Sequence, residues 1–232
     1  MIHQLHPEMH VRKLSIGAER QPLLVIDNFV NEPERLVRKA ASRRFVRLPG
    51  YFPGLRTEAP LSYQTLLAEQ LRPLLLEYFG LVGRAFTFSL CHYSLVTTPP
   101  DQLAALQRIP HYDSVDPTGL ATVHYLFNGA LGGTAFYRHR KTGFEYIDAS
   151  RRDPYFDVLG RENLLAPEAG GYINGDTELF EQIAKEEGVF NRILIYRRNS
   201  LHSGCIDRNF VPDPNPATGR LSINCFMDLV AQ

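Results

Sequence analysis

Three residues of the sequence have the types and the order of ligands for a mononuclear metal site. His111 and Asp113 are separated by one residue, and His202 follows much later in the chain. Two histidines and one carboxylate can occupy one face of Fe(II), which leaves the remaining positions open for a chelating 2-oxo acid and for dioxygen. The pattern therefore predicts an iron site that activates oxygen.

An arginine close to the end of the sequence fits the same chemistry. Arg220 precedes Leu221 and Ser222, and a guanidinium binds a carboxylate through two parallel hydrogen bonds, which lysine does less specifically. An HxD triplet alone is a weak signal, and His6-Pro-Glu8 is an HxE of no evident role. The order of HxD, a long gap, histidine and then Arg-x-Ser is much harder to obtain by chance.

Alternating residues predict the strands that position these groups. From Arg220 to Leu229 the even positions are mostly polar and the odd positions are apolar, as in a strand with one buried face. From Phe86 to Leu95, we assign Phe86, Phe88 and Leu90 to one face and the odd positions, Tyr93 included, to the other. The polar faces are expected to line the interior of a barrel or sandwich.

The rest of the chain divides into helices first and strands later, which indicates an α+β fold. Pro73 is expected to kink the second helix, and Gly80 is expected to end it. Predicted helices cover about 33–44, 61–80, 101–107 and 176–187. Predicted strands cover about 22–30, 85–96, 121–128, 133–138, 191–197 and 220–229. Predicted loops cover 45–60, 139–170 and 207–219, and these loops are expected to determine which substrate binds.

Together these segments resemble the 2-oxoglutarate- and Fe(II)-dependent dioxygenases of the prolyl-hydroxylase-like branch. The segment Gly-Thr-Ala-Phe-Tyr-Arg-His is similar to sequences of an uncharacterised bacterial subgroup of that branch. The resemblance covers most of the chain and implies a double-stranded β-helix, or jelly-roll, core with N-terminal helices packed on one sheet. The matching segments are 22–30 with 33–36, 110–113, 125–129 with 132–136, 191–196 with 201–204, and 219–222.

The resemblance also implies the roles of individual residues. It implies His111, Asp113 and His202 as metal ligands, with Fe(II), 2-oxoglutarate and O2 as cofactor and co-substrates. It further implies contacts to 2-oxoglutarate from Arg220, Ser222, Tyr93 and Tyr125. The expected reaction is hydroxylation of a C–H bond with release of succinate and CO2. Related halogenating enzymes lack the carboxylate ligand, so Asp113 favours hydroxylation or desaturation.

One departure from the family leaves open which arginine binds 2-oxoglutarate. The family's basic residue usually follows the second histidine more closely than Arg220 does, and Arg208 stands nearer to that spacing. The segment between them is rich in proline, asparagine and aspartate, which is typical of a loop. We favour Arg220 because it begins an alternating strand.

Length and composition predict one domain over residues 1–232. The resemblance implies that this enzyme domain consists of a helical support region (1–84) and a jelly-roll core (85–232). Lysine plus arginine and aspartate plus glutamate each total 25, so no overall positive charge favours nucleic acid as a substrate. The three cysteines are odd in number and lack CxxC spacing, which predicts reduced thiols and a cytoplasmic location. We find no signal peptide or membrane span.

Two alternative functions stay open on sequence grounds. One is a jelly-roll metalloprotein with non-oxidative isomerase or hydrolase activity, since other divalent metals also bind such ligands. The other is a catalytically silent module that binds a metal or metabolite. The expected substrate is a small molecule or a peptide, and the expected state is a monomer or homodimer.

Overall fold

The fold consists of two antiparallel sheets and a layer of helices. The computed structural model describes residues 3–83, 85–162 and 170–230. Within them ten strands form a seven-stranded sheet and a three-stranded sheet. The strands are β1 (His10–Ile16), β2 (Gln21–Asp27), β3 (Gly54–Glu58), β4 (Ala85–Val96), β5 (Leu120–Tyr125), β6 (Gly133–His139), β7 (Phe180–Glu186), β8 (Ile193–Arg197), β9 (His202–Cys205) and β10 (Leu221–Val230).

The helices follow the predicted breaks. Gly80 ends the third helix in the left-handed conformation (φ 60°), which glycine adopts without a steric penalty. The predicted kink lies just before Pro73, where a π-helical turn (Leu66–Gln70) separates two α-helices. The α-helices are α1 (Glu34–Ala41), α2 (Leu61–Thr65), α3 (Arg72–Phe79) and α4 (Arg152–Arg161), and 3-10 turns cover Pro100–Gln102 and Ala105–Gln107. No helix among the described residues is both long and apolar enough to cross a membrane.

Both faces of the large sheet are covered, in the order β1-β2-β8-β5-β10-β4-β3. On one face, side chains such as Ile193 and Ile195 pack against the helices and form the helix-side core. On the other face, Leu194 and Tyr196 pack toward the small sheet, β7-β6-β9, and form the inter-sheet core. Burying each such side chain contributes about 1.5–3 kcal/mol. Strand β8 is therefore apolar at consecutive positions, because neither of its faces contacts water.

The structure corrects several predicted elements. The helix predicted near 176–187 is strand β7, which pairs with β6, so sheet pairing overrides a local sequence rich in Glu, Lys and Ala. Helix α4 lies inside the segment predicted as loop (139–170), of which 163–169 are outside the described residues. The support region predicted as helical over 1–84 contains three strands of the large sheet: β1, β2 and β3. A single domain over the whole chain stays a prediction.

Candidate active site

A cavity of about 700 Å³ opens between the two sheets. Its wall includes strands of the large sheet and strands of the small sheet, together with the segment that carries His111 and Asp113. Residues far apart in sequence meet there, and the members with chemical potential are His111, Asp113, His202, Arg220, Arg56, Thr134 and Ser222. The volume is in the range of small-molecule sites in proteins.

The three predicted ligands form one cluster, with their ligand atoms all within 4.8 Å of one another. The carboxylate of Asp113 lies between the two rings: Oδ1 is 3.7 Å from His111 Nε2, and Oδ2 is 3.6 Å from His202 Nε2. The His111 side chain is 53% exposed, against 7% for His202. The cluster is therefore open to the cavity on the His111 side, where further ligands could approach.

Backbone pairing holds the two histidines side by side. The amide of His111 donates to the carbonyl of His202 (2.9 Å), and the amide of His202 donates to the carbonyl of His111 (2.8 Å). Asp113 is fixed in the same way, because its amide donates to the carbonyl of Arg198 (2.7 Å). The HxD segment thus lies next to β9, joined to it by an isolated antiparallel bridge between His111 and His202.

The protonation of the cluster suits a divalent cation. His202 Nδ1 lies 2.9 Å from the carbonyl oxygen of Ser200, so a protonated Nδ1 donates and the lone pair stays on Nε2. Partial removal from water lowers the pKa of His111, and the neighbouring His202 lowers it further, to about 4. The neutral form of the ring is therefore favoured. Asp113 Oδ2 is buried and has no hydrogen-bond donor. An unpaired buried oxygen, on a carboxylate that lies between two imidazoles, fits a metal ion as its missing partner.

Arg220 lies in the same cavity and is 5% exposed. Its Nε donates to the carbonyl of Leu131 (2.8 Å) and its Nη2 to the carbonyl of Gly133 (2.9 Å). Burial lowers the pKa of Arg220, although an arginine keeps its proton in proteins. No carboxylate of the described residues forms an ion pair with it. A buried cation without a counter-ion is costly, and an anionic ligand would relieve that cost.

Ser222 and Tyr125 lie close to Arg220 but differ in their access to the cavity. Ser222 lines it, and its hydroxyl is 2.6 Å from Asn224 Oδ1. The Tyr125 hydroxyl is 2.7 Å from Thr134 Oγ1, and Tyr125 belongs to the inter-sheet core. Burial raises the pKa of Tyr125, and the charge of Arg220 opposes that rise. Tyr125 therefore approaches the cavity through Thr134 rather than lining it.

The face predicted for Tyr93 is wrong. Tyr93 is fully buried in the helix-side core, on the opposite face of the large sheet from the cavity. A bulge explains the error: β10 changes register between Phe226 and Met227, so Phe226 faces Leu90 while Met227 faces Phe88. Because β4 has one extra residue at the bulge, the odd and even positions of β4 exchange faces of the large sheet from one side of the bulge to the other. Tyr93 consequently cannot reach a ligand in the cavity.

Arg208 lies in the loop after β9, where its side chain is exposed. It does not line the cavity and forms no ion pair within the described part of the chain. The loop predicted over 207–219 is confirmed, since it contains no helix or strand. Of the two candidate arginines, Arg220 alone lines the cavity that holds the metal-ligand cluster.

Sequence reasoning missed three residues of the site. Thr134 and Gly133 stand in a Gly-Gly-Thr segment that gives only a turn signal. Arg56 stands in a segment predicted as loop, and an isolated arginine carries no signal of its own. The structure places Arg56 on β3 and in the cavity wall. Only the pairing of β3 with β4 brings it there.

Gly133 is expected to be intolerant of a side chain. A Cβ at this position would lie 1.9 Å from the backbone oxygen of Glu186, and the Gly133 carbonyl is an acceptor for Arg220. We expect Gly133→Ala to lower the free energy of unfolding by about 1–3 kcal/mol, the usual cost of overpacking. Urea denaturation measures it. Gly160→Ala in α4 is the control, because a Cβ there meets nothing within 4 Å. Equal stability of the two variants would contradict the steric argument.

Comparison with solved structures gives distant similarities. HygX from Streptomyces hygroscopicus, with nickel and 2-oxoglutarate bound, matches at 10% identity and a TM-score of 0.49, over 91% of this chain and 84% of that chain. SnoN, a non-heme alpha-ketoglutarate-dependent epimerase from nogalamycin biosynthesis, matches at 11% identity and a TM-score of 0.46, over 90% and 78%. SnoK, a carbocyclase of the same biosynthesis, matches at 11% identity and a TM-score of 0.44, over 90% and 80%.

Comparison by sequence gives a family but no described relative. No curated protein matches the chain. A family model described as a family of unknown function (DUF6445) matches residues 7–227. The match spans nearly the whole sequence, including every residue of the metal-ligand cluster and Arg220. The chain therefore belongs to the DUF6445 family.

Proposed function

We propose that this chain is an Fe(II)- and 2-oxoglutarate-dependent oxygenase that hydroxylates a C–H bond and releases succinate and CO2. One observation carries the proposal: a 2-His-1-carboxylate cluster and a buried arginine without a counter-ion share a single cavity. The cluster accounts for the metal. The arginine accounts for an acidic co-substrate, because a guanidinium binds carboxylates in a forked geometry.

We propose the double-stranded β-helix as the underlying fold. The order of the sheets supports it: β4-β10-β5-β8 forms the centre of the large sheet, and β9-β6-β7 forms the small sheet. The bridge between His111 and His202 extends the small sheet to a fourth segment. Four strands would then face four, with the cavity between them, as in a jelly roll.

Each residue of the site has a distinct part in the proposal. His111, Asp113 and His202 would hold the metal, which when bound with 2-oxoglutarate and O2 supplies the oxidation of the C–H bond. Arg220 would bind the distal carboxylate of 2-oxoglutarate, and the carbonyls of Leu131 and Gly133 hold its guanidinium in place. Ser222, two residues further along the chain, lines the same cavity and would contact that carboxylate.

The burial of these groups supports the same chemistry. Arg220 and Ser222 are almost completely buried, so a bound carboxylate would lie in a region with little competing water. Electrostatic attraction between a carboxylate and a guanidinium is stronger in such a region than in water. Tyr125 and Thr134, joined by a hydrogen bond, would close the wall beside the co-substrate.

An anaerobic titration tests the proposal. Fe(II) added to the metal-free protein together with 2-oxoglutarate should produce a visible charge-transfer band, because the 2-oxo acid chelates the metal at one centre. Addition of O2 should then convert 2-oxoglutarate to succinate. A protein that binds Fe(II) or Zn(II) but gives no band with 2-oxoglutarate would instead be a non-oxidative metalloprotein. A protein that binds neither metal would lack the proposed activity altogether.

A further inference from the structure

Arg56 is a second cavity arginine that the metal and the co-substrate leave unexplained. It lies on β3 opposite Ser94 of β4, and Ser94 lies opposite Ser222 of β10. The three residues therefore form a row across the cavity face of the large sheet. Adjacent strands are about 4.8 Å apart, so the backbone of Arg56 is about 10 Å from that of β10.

The guanidinium of Arg56 is held on one side and free on the other. Its Nε donates to Ser94 Oγ (3.2 Å), and its Cζ lies 4.1 Å from the centroid of the Phe52 ring. Neither Nη1 nor Nη2 has a hydrogen-bond acceptor within the described ranges. Glu58, two residues along β3, and Asp113 form no ion pair with it. The side chain is thus oriented by a hydrogen bond and an aromatic ring, with a forked pair of donors to spare.

Arg56 is partly buried, and its charge interacts electrostatically with the metal-ligand cluster. Loss of water, partly offset by Asp113, lowers its pKa to about 10. The charge of Arg56 also contributes to the lowered pKa of His111. A charged donor held in a partly dry wall without a partner is costly unless a ligand pairs with it.

The surroundings of Arg56 are apolar and open. Phe52, Tyr112, Phe156 and Phe226 line the same cavity. The segment before β3 pairs with it, because Val46 and Arg56 exchange two backbone hydrogen bonds. Phe45, next to Val46, packs against the helix-side core.

We infer that Arg56 binds an acidic group of the primary substrate, a small organic acid with an apolar or aromatic body. The inference rests on the proposed function for calling this ligand the substrate. Arg220, deep between the sheets, would serve the co-substrate, and Arg56, on edge strand β3, would serve the substrate. The aromatic side chains that line the cavity would contact the apolar body of the substrate. The acidic group is a carboxylate or a phosphate, since a guanidinium forks to either.

A binding experiment on the metal-free protein tests this inference without turnover. Calorimetric titrations with 3-phenylpropionate, its neutral amide and 2-phenylethyl phosphate would be made on wild type, R56Q, R56K, R220Q and the control R208Q. We expect R56Q to lower affinity for the preferred acid by about 10- to 100-fold, the loss typical of a hydrogen bond to a charged group. R56K should lie between wild type and R56Q. R208Q, at the exposed loop arginine outside the cavity, should change this affinity by less than about twofold.

The outcomes separate the substrate site from the co-substrate site. The amide should bind wild type as weakly as the acid binds R56Q, and the stronger of the two acids identifies the anion. Equal binding of acids and amide by wild type would overturn the inference. So would a loss confined to R220Q, or an equal loss of 2-oxoglutarate binding in R56Q. If the anaerobic titration fails while these results hold, Arg56 still binds an organic acid and only the oxygenase proposal is wrong.

Discussion

Alanine at His111, Asp113 or His202 is expected to abolish tight Fe(II) binding while leaving the fold intact. Each of the three supplies one ligand atom of the cluster. Removing a residue that merely supports a ligand typically weakens metal binding about 10- to 100-fold, so removing a ligand itself should exceed that range. Elemental analysis after anaerobic reconstitution and desalting measures the iron that remains bound.

The matched control for this series is His6→Ala. His6 belongs to the HxE triplet near the start of the sequence. Within the described residues, the one hydrogen bond of its ring is accepted from the Glu8 amide (3.0 Å). Iron content should be unchanged in this variant, and circular dichroism should show that all four variants are folded. Full iron occupancy in any one of the three alanine variants would remove that residue from the proposed ligand set.

Replacing Arg220 by alanine is expected to raise the concentration of 2-oxoglutarate required for half-saturation by about 30-fold or more. Truncating one partner of a buried, hydrogen-bonded charge pair costs about 2–5 kcal/mol, and about 1.4 kcal/mol is a factor of ten. Fe(II) binding should hardly change. Uncoupled succinate production measured against 2-oxoglutarate concentration gives the result, and calorimetric binding of 2-oxoglutarate checks it without turnover.

Two further variants define what this loss means. Arg208→Ala should leave the requirement for 2-oxoglutarate unchanged, because an exposed loop arginine contributes little to binding. Arg220→Lys should recover only part of the affinity, since lysine keeps the charge but not the forked donors. If Arg208→Ala proved the more damaging of the two alanine substitutions, the co-substrate would bind on the loop side and the role of Arg220 would be structural.

The metal-ligand cluster was accessible to sequence reasoning because its signal is a set of residue types in a fixed order. Strand β10 was accessible for a similar reason: alternation from Arg220 onward puts Arg220, Ser222, Asn224 and Phe226 on one face, and these four residues line the cavity. A strand with one buried polar face and one apolar face shows its orientation directly in its sequence.

The features that could not be predicted from the sequence depend on interactions between strands. The bulge between Phe226 and Met227 is a property of the β10–β4 pair, and alternation read along β4 alone therefore carried Tyr93 to the wrong face. Strand β7 contains residues of good helix propensity and becomes a strand by pairing with β6. Arg56 enters the cavity by the same kind of pairing, at the edge of the large sheet.

The position of β10 in the large sheet has a consequence for how the protein folds. Strand β10 follows all other described strands in sequence but lies between β5 and β4 in the large sheet. During synthesis, β4 and β5 therefore keep unpaired edges until β10 docks, and such edges favour aggregation. Pairing between distant segments is also slow. Because Arg220 is carried into place with β10, refolding should restore helical circular dichroism before it restores 2-oxoglutarate binding.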